Sequence, residues 1–143
     1  MIILDTNVVS GFVLEPPPAV LVRWADARPR GSLWTTSVTA FELLDGARRL
    51  PEGRRRRRLE ASLLDLLDGR LLGGRVLPVD RAAADAAADL SARRVREGRS
   101  VGTADTLIAG VALSQRFGIA TRNLRHFADL GAAGLAVVDP FAA

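Results

Sequence analysis

The chain opens on a short apolar run that stops at a carboxylate: Met1-Ile2-Ile3-Leu4-Asp5-Thr6-Asn7. A run this short and this apolar is predicted to be a strand buried on both faces, as at the centre of a parallel sheet. In open α/β sheets the ligand crevice lies at the carboxyl ends of the strands. Asp5 therefore falls where such a fold puts its chemistry. Two further acids, Glu42 and Asp105, sit among apolar neighbours in segments of helical pattern. Each acid also has a plainer reading. Asp5 is a common N-cap, Glu42 fits a solvated helix face, and Asp105 near a helix start compensates the dipole. If the three converge they need a cation, because unpaired like charges at close range are costly.

Composition narrows the chemistry. A chain of 143 residues with 48% hydrophobic content is expected to be one folded domain over residues 1–143. No stretch of about 18 apolar residues could span a membrane, and no basic segment precedes a long apolar run as in a leader. A cytoplasmic location is the expectation. There is no cysteine and a single histidine, His126. Thiolate sites, cysteine nucleophiles and His-rich metal sites are thereby excluded. A metal here must be held by oxygen, which suits Mg²⁺ or Mn²⁺. All 20 basic residues are arginine and the formal charge is +4. Lysine-dependent phosphate loops and Schiff bases are therefore out, while arginine clusters are compatible with a phosphate-bearing partner.

Strands and helices alternate in the pattern. Strands are expected at Ile2–Leu4, Leu33–Thr35, Val76–Val79, Ile119–Thr121 and Ala136–Val138, with Pro78 marking an edge or a strand end. Helices are expected at Val8–Leu14, Ala19–Arg28, from Thr36 or Ser37 to about Leu50, Arg54–Leu67, Arg81 to Glu97 behind an Asp80 cap, and Thr103–Phe117. Thr103 is the expected cap of the last, and Gly118 its C-terminal stop. The fold class is α/β, with a mainly parallel sheet of five strands flanked by helices.

Four stretches together resemble the PIN-domain ribonucleases, in particular the VapC toxins and their FitB-like branch: Leu4-Asp5-Thr6-Asn7, Ser37 through Gly46, Thr103 through Ala109, and Thr121 through Phe127. The closing Val138-Asp139-Pro140-Phe141 is similar to the family's C-terminal strand ending. The resemblance covers almost the whole chain in order. It implies a Mg²⁺-dependent endoribonuclease, the toxin of a type II toxin–antitoxin pair, hydrolysing RNA phosphodiesters with a metal-activated water and no side-chain nucleophile. It carries the metal-binding and catalytic roles to Asp5, Glu42 and Asp105. The family's fourth acidic position falls on Asn123, whose carbonyl brings no charge and would hold a metal more weakly. Thr6, Asn7 and Thr103 match supporting positions. The implied partners are a small VapB-like antitoxin, an RNA substrate such as tRNA or rRNA, and a second copy of the chain in a homodimer.

Other residues stay open between two roles. Arg122 is either an RNA phosphate contact or an ordinary surface arginine. Arg54 and Arg55 begin a run of five arginines through Arg58, which either steers RNA or an acidic partner, or is a solvated helix end. His126 lacks the serine-and-acid pattern of a triad, so a hydrogen-bonding or packing role is expected. A receiver-like domain is disfavoured because its lysine is missing, and a dehalogenase-like phosphatase because Asn7 stands two residues after Asp5. The competing reading is a catalytically weak PIN fold that binds RNA or antitoxin.

Overall fold

Burial on both faces accounts for the first strand's place at the centre of the sheet. The computed structural model describes residues 1–142. Among these the chain forms β1 (Ile2–Leu4), α1 (Thr6–Gly11), α2 (Ala19–Asp26), β2 (Leu33–Thr36), α3 (Ser37–Arg48), α4 (Arg54–Asp68), β3 (Val76–Leu77), α5 (Arg81–Arg96), α6 (Thr103–Gln115), β4 (Gly118–Ala120), α7 (Leu124–Phe127), a 3₁₀ segment (Ala128–Ala133) and β5 (Val137–Val138). The sheet order is β3-β2-β1-β4-β5, and every pairing is parallel. Ile2 pairs with Leu33 on one side and Gly118 on the other. Successive strand side chains point to opposite faces. Ile3 packs with Leu90, Ile108, Ile119 and Phe127 on one face, while Leu4 packs with Val8, Leu21, Leu66 and Leu72 on the other. Both are wholly buried, as a continuous apolar run requires. β3, with Pro78 just beyond it, is an edge strand.

The expected caps hold at α3 and α5 and fail at both ends of α6. Thr36 accepts from the Thr39 N–H at the start of α3, and Asp80 accepts from Ala83 N–H at α5. At α6 the N-cap is Gly102, and Thr103 is an exposed first residue whose side chain caps nothing. The same helix ends at Arg116, which takes the left-handed conformation at φ 56°. Gly118 is not the stop. It is the first residue of β4, where a Cβ would stand 3.0 Å from the Ala136 carbonyl oxygen of the next strand. The glycine serves strand approach, and Phe117 N–H bonding to the Ala112 carbonyl closes the helix. The first helix begins at Thr6 rather than Val8, because Asp5 accepts from Thr6 N–H and starts it.

α5 and α6 approach each other closely. Gly110 of α6 lies against Ala83 and Ala87 of α5, so near that a Cβ would fall 2.5 Å from the Ala83 carbonyl oxygen. Small residues at all three positions permit that approach. Among the described residues no helix is long and apolar enough to cross a membrane.

Candidate active site

The site is built where β1 and β4 end side by side. Asp5 leaves β1 with its N–H on the Ala120 carbonyl at 3.0 Å, and its side chain is 2% exposed. Three donors hold the carboxylate: Thr121 Oγ1 at 2.7 Å, Thr6 N–H at 2.8 Å and Asn7 Nδ2 at 3.4 Å. Thr121 Oγ1 in turn accepts from Asn123 N–H at 2.9 Å. Asn7 Oδ1 accepts from Arg122 N–H at 3.1 Å. The two strand ends are thus laced together through Asp5 and Asn7.

Thr6 reaches the second acid. Its hydroxyl donates to Glu42 Oε1 at 2.6 Å, and Thr39 Oγ1 lies 3.1 Å away. With the Thr6 proton committed to Glu42, Thr39 is the donor of that second bond. Glu42 and Thr39 project from α3. Asp105 comes from the first turn of α6. Its carboxylate is hydrogen-bonded to His126 Nδ1 on α7. A carboxylate accepts only, so that nitrogen carries the proton. His126 therefore has the hydrogen-bonding role expected of it.

The electrostatics join the three acids. Burial pushes the Asp5 carboxyl above its ordinary value, the bonds from Thr121 and Thr6 pull it back, and the charges of Asp105 and Glu42 raise it further. Among the described residues Asp5 and Glu42 form no ion pair. The nearby arginines Arg94 and Arg99 are spent on Asp129, whose carboxyl is held below its usual range chiefly by the bond from Arg94.

The donor set suits a hard divalent cation, because it is all oxygen, carboxylate-rich and short of positive charge. The side chains do not yet form one coordination sphere. Among the described residues no three His, Cys, Asp or Glu side chains are grouped as for a metal. Asp5 is held by three donors, whereas Glu42 and Asp105 are partly exposed.

The remaining predicted positions lie further out. Asn123 is exposed and contributes its backbone N–H to Thr121. The Arg122 guanidinium stacks on the Phe141 ring at 4.5 Å. Arg122, Asn123, Arg125 and His126 line a polar groove of about 600 Å³ with Arg99 and Ser100. Arg54 and Arg55 open α4 and line a separate groove with Val13, Leu14 and Glu15. Arg56 and Arg58 are taken up by Glu60 and Glu15. The sequence reading missed Thr121 and Thr39. Thr121 carried a signal, since it closes the apolar run of β4 as Asp5 closes that of β1. Thr39 carried none.

The comparisons with known proteins bear on the family and the fold. A family model described as the PIN domain matches residues 2–133. The VapC ribonuclease Y4jK of Sinorhizobium fredii is 37% identical across 99% of this chain and 98% of its own length. The crystal structure of FitAcB from Neisseria gonorrhoeae superposes with a TM-score of 0.82 at 29% identity, covering 100% of both chains. VapBC-5 of Mycobacterium tuberculosis, a member of the VapBC family of toxin–antitoxin systems, gives 0.69 at 30% identity over 96% of each chain. The parallel sheet and the helix order have thus a known setting, and the chain belongs to the PIN-domain family, on its VapC and FitB branch.

Proposed function

We propose that the chain is a metal-dependent endoribonuclease and the toxin of a toxin–antitoxin pair. The observation that carries the reading is Asp5: a buried carboxylate at the end of the central strand, its ionisation opposed by burial and by two neighbouring acids. The names of its relatives, a VapC ribonuclease and a toxin–antitoxin system, support the substrate class and the partner. Asp5, Glu42 and Asp105 would hold Mg²⁺ or Mn²⁺, with the Asn123 carbonyl as a weaker fourth oxygen. When bound, such a cation lowers the pKa of a water and neutralises charge on phosphate oxygens.

The chain's own residues supply position. Asp5 is immobile between Thr121, Thr6 and Asn7. Thr6 aims the Glu42 carboxylate, and His126 aims that of Asp105. The groove beside His126 offers Arg122 and Arg125 to an RNA backbone, where arginine suits phosphate through its fork of donors. A small VapB-like antitoxin is the partner proposed to cover this acidic and arginine-edged surface.

The test is cleavage of tRNA and rRNA fragments by purified protein with Mg²⁺, with EDTA, and with Asp5→Asn in parallel. Cleavage in Mg²⁺ alone, lost in EDTA and lowered at least about 100-fold in the variant, is expected where metal charge stabilisation contributes several kcal/mol. Cleavage that persists in EDTA or in Asp5→Asn overturns the reading. A folded, Mg²⁺-binding protein that cuts nothing moves it to the RNA- or antitoxin-binding alternative, which the uncharged Asn123 favours.

A further inference from the structure

Arg94, near the end of α5, is 2% exposed, and the proposed reaction does not use it. Every edge of its guanidinium is bonded. Nε and Nη2 fork onto Asp129 at 2.8 and 2.9 Å. Nη1 donates to Thr106 Oγ1 at 3.1 Å, and Nη2 also donates to the His126 carbonyl at 2.7 Å. Arg99 adds a bond to Asp129 at 2.8 Å and one to the Arg125 carbonyl at 2.9 Å. A buried ion pair is seldom more stabilising than a well-packed apolar replacement. A planar guanidinium fixes directions, and this one does so between elements. Thr106 follows Asp105 in the first turn of α6, and the carbonyl of His126 lies on α7. The side chains of those two neighbours, Asp105 and His126, meet at the site.

We infer that Arg94 is a positioning residue, clamping α7 against α6 so that the His126 ring and the Asp105 carboxylate stay in register. It acts through the backbone of His126 and the hydroxyl of Thr106, touching neither the metal-binding oxygens nor the substrate. The inference rests on the nuclease reading for its kinetic arm alone.

The test compares Arg94→Lys, which keeps a cation but loses the planar fork, with Leu21→Ala, which opens a cavity in the opposite core cluster. His126 is the sole histidine, so its ring resonances in the metal-free folded protein report the contact with Asp105 without ambiguity. Arg94→Lys is expected to shift those resonances and to lower kcat between about 10-fold and 100-fold, the usual effect of losing a residue that orients a metal ligand, with KM unchanged. Leu21→Ala is expected to lose stability and change neither. Wild-type His126 resonances and kcat in folded Arg94→Lys overturn the inference. Should Arg94→Lys fail to fold, Thr106→Val cuts one arm of the clamp, and the same pair of readouts decides: shifted resonances with lowered kcat uphold it, and wild-type values overturn it. If the wild type cuts no RNA, the nuclease reading falls while the resonances still decide the clamp.

Discussion

Two glycine-to-alanine changes should move stability in opposite directions. Both glycines lie inside helices, Gly46 in α3 and Gly110 in α6. In a helix interior alanine is favoured over glycine by about 0.5–1 kcal/mol, because glycine loses more backbone entropy on folding. At Gly46 nothing lies within 4 Å of an added Cβ, so Gly46→Ala is expected to stabilise by about that amount. At Gly110 the Cβ would meet the Ala83 carbonyl oxygen at 2.5 Å, Ala87 Cβ at 2.6 Å and Ala87 N at 2.9 Å. Two of those atoms are helix backbone and cannot rotate away. The clash is relieved only by separating α5 from α6, at the upper end of the roughly 1–3 kcal/mol seen for overpacking. Subtracting the propensity gain leaves a net loss of about 2 kcal/mol, or roughly 4–8 °C in Tm for a domain of this size. Urea and thermal unfolding of both variants beside wild type measure the difference. A Gly110→Ala protein at least as stable as wild type, with α5 and α6 unmoved, would refute the argument that close approach dictates this glycine.

Three other outcomes follow from named groups. Removing the Thr6 hydroxyl in Thr6→Val leaves Glu42 and Thr39 without their shared partner; RNA cleavage assays should show kcat down about 10- to 100-fold with the fold kept, as for other groups that orient metal ligands. Asp5 titrates above its ordinary 3.8, so the unfolded chain ionises before the folded one. Stability at this site is therefore lost as pH rises from that value through the raised native pKa. Denaturant unfolding across that range should show Asp5→Asn gaining on wild type as pH rises, and a constant difference would contradict the burial argument. Asp129 has the opposite sign. Its carboxyl is held low, so its contribution is present above 3.8 and is lost as pH falls through the lowered value. Asp129→Asn should cost about 3 kcal/mol near pH 7, since it strips a buried arginine of its counter-ion, and the gap to wild type should close in acid.

Local pattern carried most of the fold. Continuous apolar runs identified the buried strands, Asp80 and Thr36 announced their helices, and Pro78 placed β3 at an edge. The ends of α6 were not legible, because Gly102 and Gly118 look alike as punctuation. One is a cap, and the other is needed only once β5 is known to lie alongside it. The acids at Asp5, Glu42 and Asp105 were legible as interruptions of apolar surroundings. Their lacing was not. Thr6 reaches 36 residues along the chain to Glu42, a distance no local rule spans. Arg94 was invisible for a related reason. It stands in Arg93-Arg94-Val95-Arg96 on an alanine-rich helix, and its neighbours Arg93, Val95 and Arg96 are exposed. Helical spacing puts position 94 on the buried face with Ala83, Ala87 and Leu90, but the Asp129 that makes an arginine tolerable there comes from a later segment.

The sheet order also governs when the molecule can begin to work. β1 is made long before its partner β4 and the Thr121 hydroxyl that grips Asp5, which lie 116 residues later. Pairing across so long an intervening chain is slow, and during synthesis it waits for that chain to emerge. A nascent chain halted before β4 can pair β1 with β2 but lacks the Thr121 hydroxyl that holds the Asp5 carboxylate. The grip on Asp5 is therefore completed only once β4 and Thr121 have been made and have paired with β1.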